Sequence, residues 1–252
     1  MRAPPTPDPT HGVFETLLVV AGEPVELPAH LDRLAASLGA LFGATLPVGL
    51  GDQIGEHTRG LRLGRLRVTV APGPAGSGAL LASENIDSAD FFPAWGRGAQ
   101  LRSLACEGGL GPHKWADRRR LNTVAEGRVP LLFDRDDEVL EAGRASLFAG
   151  FGQVLRTPAA DGRILPGIAR AGAIAAAREA GIEVVEASLS RQQLLAADEV
   201  FLTGSVRGVE PARSLDGAPL PAVTELSHQV GAGLRRRWLA APVAAAAPGP
   251  AV

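Results

Sequence analysis

The sequence predicts an α/β protein of two lobes sharing a cleft: a small N-terminal lobe to Ala105 and a larger lobe from residue 106 to Leu239. Three observations predict it. Strand-type runs and helical stripes follow one another along the whole chain. At 252 residues the chain sits near the length at which a single core stops growing, which leaves one elaborate domain and two lobes both open, with two lobes preferred. The glycines Gly108, Gly109 and Gly111 with Pro112 then break regular structure in mid-chain, just ahead of Lys114.

The small lobe opens on a proline-rich stretch, Met1 to Pro9, that is expected to be disordered. Val13 to Val20 reads as a strand, Ala21-Gly22-Glu23-Pro24 as its turn and Val25 to Leu27 as the return strand. From Pro28 a helix follows, because Leu31, Leu34, Leu38, Leu41 and Phe42 recur at three- and four-residue steps, and Gly43 can close it. Leu61 to Val70 alternates apolar and polar residues, the pattern of a half-buried strand. Gly73 to Gly78 is a conformational loop; no Gly-Lys-Ser/Thr ends it, so it is not a phosphate loop. A further strand is expected near Ala99 to Leu104.

In the large lobe a short helix is expected from Trp115 to about Arg128, with Arg118-Arg119-Arg120 on its wet face. Val129 to Phe133 and Glu138 to Leu140 flank a polar turn as a hairpin, and strands follow at Ser146 to Ala149 and Gln153 to Arg156. An alanine-rich helix starts behind Pro166-Gly167, where it presents free N–H groups, and runs to Gly181. Ile182 to Val185 and Glu199 to Leu202 read as strands, and Ser190 with Gln193 as the capping pair of the short helix between them. The last helix is placed from Pro221 to about Leu239, and 240–252 is a low-complexity tail.

A net charge of −2 gives no footprint for nucleic acid or an anionic membrane. The single cysteine, Cys106, excludes an internal disulfide framework and reads as a small buried apolar residue. The first residues contain neither an apolar signal core nor a membrane-spanning run, so a cytoplasmic protein is expected. Lys114 is the only lysine in the chain. Arginine serves ion pairs and phosphates as well or better, but its guanidinium stays charged and cannot become a neutral nucleophile. A lysine amine can, once desolvation or a nearby cation lowers its pKa, and it then forms a Schiff base with an aldehyde.

Four blocks surround this lysine in order: Gly12-Val13-Phe14-Glu15-Thr16; His30-Leu31-Asp32-Arg33-Leu34; Glu141 through Phe148 with Leu165 through Arg170; and Ala197 through Ser205. Together they resemble the class IV aminotransferase family of fold-type IV pyridoxal-phosphate enzymes, over most of the chain. His113-Lys114 with Arg118, and Ser205-Val206-Arg207-Gly208, are most similar to its aminodeoxychorismate lyase branch, which makes 4-aminobenzoate for folate.

The resemblance implies that Lys114 carries pyridoxal phosphate and that Glu141 faces the pyridine nitrogen. It implies that Arg33, the amides of Ile168 and Ala169 behind Gly167, and Ser205 after Thr203 and Gly204 hold the phosphate. Three departures accompany it. The chain has no tyrosine, and the family often has one bonding the cofactor's phenolic oxygen, so Arg118 or Arg119 takes that place. Ala169 stands where a threonine is usual, which removes a hydroxyl but leaves the amide. The strand usual before Gly12 is missing, which implies a truncated small lobe. The expected activity is a lyase on a small molecule, as a homodimer, with Arg67, Arg97 or Arg207 available for substrate carboxylates. A transaminase on branched-chain or D-amino acids is the alternative, and a non-catalytic family member the second.

Overall fold

The structure, a computed structural model, describes residues 7–73, 78–222 and 224–244, with side chains to residue 240. It is the α/β architecture expected, built on two sheets. The first sheet holds β1 (Val13–Val20), β2 (Glu23–Pro24), β3 (Leu63–Ala71) and β4 (Gly78–Asn85) in the order β2-β1-β3-β4, all antiparallel. The alternation along β3 buries Leu66, Val68 and Val70, which pack with Leu34 and Leu38 of α1 (Leu27–Phe42) and Ile54 of α2 (Leu50–Thr58). Gly43 ends α1 in the left-handed conformation, φ 60°.

The second sheet has nine strands: β5 (Ala99–Ala105), β6 (Val129–Phe133), β7 (Val139–Ala142), β8 (Ser146–Phe151), β9 (Val154–Thr157), β10 (Glu183–Glu186), β11 (Glu199–Gly204), β12 (Gly208–Leu215) and β13 (Ala218–Pro219). Its order is β10-β9-β8-β11-β12-β5-β6-β7, with β13 on β12. Helices α3 (Ile168–Glu179) and α5 (Glu225–Ala244) pack together against it; Ala173 and Leu234 bury with Phe148 and Phe201, whose rings stack 5.1 Å apart. Ser190 and Gln193 form the expected capping box on α4 (Arg191–Leu195). Among the described residues no helix is long and apolar enough to cross a membrane.

Several expectations are corrected. The helix from Trp115 to Arg128 is absent, apart from a 3-10 turn at Leu121–Thr123. Trp115 bridges Val13 of β1 instead, with the Phe14 N–H donating to the Lys114 carbonyl (2.9 Å) and the Ala116 N–H to that of Gly12 (3.0 Å). A backbone engaged with a distant strand cannot also make helical bonds. β5, read as part of the small lobe, pairs in the second sheet, so the change of sheet falls between Asn85 and Ala99. The return strand is only Glu23–Pro24 and α1 begins at Leu27. Of the stretch expected to be disordered, residues 1–6 lie outside the described residues, but Asp8 is tied by its N–H to Asp117 (2.9 Å) and caps a 3-10 turn at Pro9–His11. The last helix starts at Glu225 and continues to Ala244, through the start of the stretch read as tail, and residues 245–252 lie outside the described residues, as do 74–77 of the glycine loop. α2, β4, β12 and β13 were not anticipated.

The loop ahead of Lys114 is fastened to the segment that leads into α3. The Gly111 N–H donates to the Arg163 carbonyl (3.1 Å), and the Arg163 guanidinium binds Asp134, Glu138 and Asp161. Gly109 has φ +73°, and a Cβ there would come within 2.0 Å of the Arg163 carbonyl oxygen; Gly108 has a similar φ but open space. Gly109→Ala is therefore expected to cost on the order of 3 kcal/mol, strain plus clash, against roughly 1 for Gly108→Ala. Thermal unfolding of the two variants checks this, with a clearly larger fall in Tm for Gly109→Ala.

Candidate active site

The segment laid along the edge of β1 carries Lys114 into the cleft. Its neighbours fix it from both sides: His113 Nδ1 lies 3.0 Å from Ser37 Oγ of α1, and Trp115 Nε1 donates to the Leu110 carbonyl (2.8 Å). The Lys114 amine sits 5.0 Å from the Phe14 ring centroid. Burial pushes its pKa down to about 8, with the charges of Arg33 and Arg118 adding to that and those of Glu15 and Glu141 opposing it.

The residues assigned to the cofactor, Arg119 apart, meet at one inner cavity: Arg33 of α1; Lys114 and Arg118; Glu141 of β7; Gly167, Ile168 and Ala169 at the start of α3; and Thr203, Gly204 and Ser205 at the end of β11. Glu141 is 8 % exposed and lies between apolar neighbours Leu140 and Ala142, both buried. Burial pushes its carboxyl up to about 7, against the Leu165 N–H at 3.4 Å and the cations Lys114, Arg118 and Arg33.

At the other wall α3 begins with Gly167 as N-cap, in an extended conformation with no side chain capping the helix. Its first amides are left open toward the cavity, where the helix dipole favours an anion. A Cβ on Gly167 would meet Ser146 Oγ at 2.7 Å, so the missing side chain is what lets that hydroxyl approach. The Thr203 hydroxyl is buried without a hydrogen-bond partner among the described residues. Arg33 donates through Nε and Nη2 to the two oxygens of Glu15 (2.8 and 2.6 Å) and through Nη1 to the Pro166 carbonyl (2.8 Å).

The three arginines read as one wet face diverge. Arg118 lines the cavity and donates to the Gly143 carbonyl; burial, then the charge of Arg67, push its pKa down to about 10. Arg119 turns outward to Asp117, and Arg120 donates to the Ala105 carbonyl. Arg118 is thus the one positioned at the site.

An outer cavity of about 550 Å³ shares Lys114, Arg118, Arg144, Gly204 and Ser205 with the inner one. Its apolar lining is limited to Phe14, Ile86 and Val206, and it is otherwise rich in arginine. Arg65 pairs with Glu84; Arg144 and Arg207 share Glu210, and Arg207 also binds Asp90. Arg67, stacked 3.8 Å over the Phe14 ring, and Arg118 have no carboxylate partner among the described residues. Of the arginines suggested for substrate carboxylates, Arg67 and Arg207 line this cavity, whereas Arg97 pairs with Asp87 and Asp90 and lines neither. Sequence reasoning missed Arg144 and Ser146, which lie within or beside the Glu141-to-Phe148 block, and gave no role to Glu15 and His30.

The family model for amino-transferase class IV matches residues 12–91 and 113–215, which takes in every element of this site. The chain belongs to the class IV amino-transferase family. That family places it among pyridoxal-phosphate-dependent enzymes. The branched-chain-amino-acid aminotransferase of Escherichia coli K12 is 35% identical over 156 residues, 60% of this chain and 49% of that protein. This class IV chain thus spans about half the length of the curated relatives it matches. Among solved structures, the 4-amino-4-deoxychorismate lyase of Pseudomonas aeruginosa superposes with a TM-score of 0.73 at 24% identity, covering 93% of this chain and 95% of that one. A hypothetical aminotransferase of Mycobacterium tuberculosis in its PLP-bound form gives 0.79 at 19% identity, covering 96% and 95%. These likenesses show the fold.

The raised pKa of Glu141 has a consequence for the cofactor-free class IV chain. Below the ordinary glutamate value of 4.5 both folded and unfolded chains hold the proton; from there to about 7 only the folded chain does. The folded state then binds more protons than the unfolded, so this carboxyl makes stability fall as pH rises through that window and level off above it. Glu141→Gln, which does not titrate, is expected to remove that part of the slope. Tm of wild type and variant at pH 5 and pH 8, without cofactor, gives the comparison; the wild type should lose more.

Proposed function

We propose that this protein is a pyridoxal-phosphate-dependent lyase that converts 4-amino-4-deoxychorismate to 4-aminobenzoate and pyruvate. The observation that carries the choice of reaction is the outer cavity, where Arg67 and Arg118 stand beside Lys114 without carboxylate partners. A substrate bearing two carboxylates suits that lining. An aliphatic amino-acid side chain would desolvate those cations and offer them nothing.

The inner cavity fits the cofactor. An uncapped helix start, a guanidinium with donors to spare and an unpartnered buried hydroxyl make a donor set for a dianionic phosphate. On this reading Arg33, the Ile168 and Ala169 amides, Ser205 and Thr203 hold the phosphate, Glu141 meets the ring nitrogen, and Arg118 stands in for the absent tyrosine. When bound, pyridoxal phosphate supplies an aldehyde for the substrate amine and a ring that accepts the electrons of a breaking C–H bond.

Lys114 then does the proton transfer. With a pKa near 8 its amine is partly neutral at physiological pH, the condition for a base matched to its working pH. It takes the proton from the amine-bearing ring carbon, and the neighbouring enolpyruvyl ether leaves and becomes pyruvate on protonation. The ring that remains is aromatic, which makes the step irreversible. Arg67 and Arg118 orient the carboxylates. The product points to folate biosynthesis, and a homodimer and a cytoplasmic setting belong to the same reading.

The second reading is a transaminase, favoured by the branched-chain aminotransferases found at 35% identity. It uses the same lysine and differs in where the proton goes.

Borohydride reduction followed by peptide mapping should place a pyridoxyl group on Lys114, and Lys114→Arg should abolish both adduct and turnover. The lyase should release 4-aminobenzoate and pyruvate from aminodeoxychorismate with no keto acid added. Arg67→Gln should raise KM about tenfold or more, since a charged hydrogen bond contributes about 1.5–3 kcal/mol. Conversion of the cofactor to its amine form by an ordinary amino acid, with no 4-aminobenzoate formed, would overturn the lyase in favour of the transaminase.

A further inference from the structure

We infer that Glu15, with His30 behind it, is a positioning residue that aims Arg33 at the phosphate end of the inner cavity. The inference rests on the cofactor reading above. A guanidinium has five N–H donors in a fixed plane. In Arg33 the Nε donor and one on Nη2 go to Glu15, and one on Nη1 goes to the Pro166 carbonyl. One donor on each terminal nitrogen is left over, and Arg33 lines the cavity beside Ile168 and Ala169. Those leftover donors are free to take phosphate oxygens.

Glu15 is built to do this and little else. It is 2 % exposed, and both oxygens are occupied: Oε1 by Arg33, and Oε2 by Arg33 and by His30 Nδ1 at 2.7 Å. Burial would raise its pKa, but the hydrogen bonds from His30 and Arg33 bring it down to about 2, so it is an anion that only accepts. His30 must therefore donate from Nδ1, and burial pushes its own pKa down, which keeps the ring neutral. The set Glu15, Arg33 and neutral His30 carries no net charge, and it holds the long Arg33 chain in one rotamer before any ligand arrives. The ordering entropy, about 2 kcal/mol for a free arginine, is then not lost on binding. The Pro166 contact extends the effect, since it ties α1 of the first sheet to the residues leading into α3.

A positioning role predicts a loss confined to the phosphate. Cofactor-stripped protein is titrated with pyridoxal 5′-phosphate and with pyridoxal, following absorbance of the bound aldehyde, and the ratio of the two Kd values reports what the phosphate contributes. Glu15→Gln should reduce that ratio roughly 10- to 100-fold, as loss of the outer partners of metal ligands does, with pyridoxal affinity unchanged. His30→Gln should shift it in the same direction by less, and serves if the Glu15 variant does not fold. Arg33→Gln should match or exceed Glu15→Gln. Equal weakening of both ligands, or an unchanged ratio, would show that Glu15 serves the fold alone and overturn the inference. A wild type with no preference for the phosphorylated ligand would instead sink the phosphate reading of the cavity, and this inference with it.

Discussion

Two backbone hydrogen bonds set the whole site: Phe14 N–H to the Lys114 carbonyl and Ala116 N–H to that of Gly12. They lay the chain ahead of the second sheet's β6 along the start of the β1 edge that β2 takes up only at Val19 and Val20, β1's other edge being filled by β3. The pairing brings one lysine into the space between two sheets and places Phe14 and Glu15, successive residues of β1, next to it. Because side chains alternate across a strand, those two serve different neighbours. Phe14 takes Arg67 on its ring and forms the wall of the outer cavity, while Glu15 receives Arg33 and His30 from α1. The glycine loop before Lys114 provides the turn that lets the chain reach that edge, and the Arg163 cluster holds the loop in place.

Charge is the second constraint. Lys114, Arg33, Arg118, Glu15 and Glu141 lie in a desolvated cleft, where burial alone would neutralise each group that can lose or gain a proton. Their outcomes differ because their partners differ. Glu15 has direct hydrogen bonds from two side chains and stays charged; Glu141 has one long backbone contact and drifts up to about 7; Lys114 has an aromatic face and drifts down to about 8. On the proposed reading, the firmly ionised Glu15 holds Arg33, while Glu141, near neutrality, meets the cofactor ring.

The legible parts of the fold were those whose pattern is local. The three- and four-residue stripe of α1, the alternation of β3, the Ser190 and Gln193 box and the proline-glycine start of α3 each depend on neighbours within a few residues. The site residues were reached through the four blocks around Lys114, and the structure brings them to one cavity. What was missed depends on distant partners. The segment after Trp115 has helix-compatible residues, but its start is bound to β1 through Lys114 and Ala116, and beyond that only isolated turns form. β4 is an edge strand with mostly exposed residues, so no burial alternation marked it, and β12 contains Pro211 within its eight residues. Arg118, Arg119 and Arg120 read alike in sequence because only the Gly143 carbonyl, the side chain of Asp117 and the Ala105 carbonyl tell them apart.

The absence of tyrosine gives Arg118 its weight. A phenol can donate and accept and is neutral near physiological pH, whereas a guanidinium only donates and brings a permanent charge. That charge helps to depress Lys114, and it also faces Arg67, whose own charge adds to burial in pressing Arg118 down to about 10. Without a substrate the two guanidiniums are held near each other with no carboxylate between them. On the proposed reading, an entering carboxylate relieves that repulsion as well as adding its own attraction, and discrimination comes from the difference between an anion that neutralises the pair and an apolar group that merely dehydrates it. On the proposed reading, substitution of a phenol by a guanidinium couples the two cavities: the residue that stands beside the cofactor is also the one that senses the charge of the substrate.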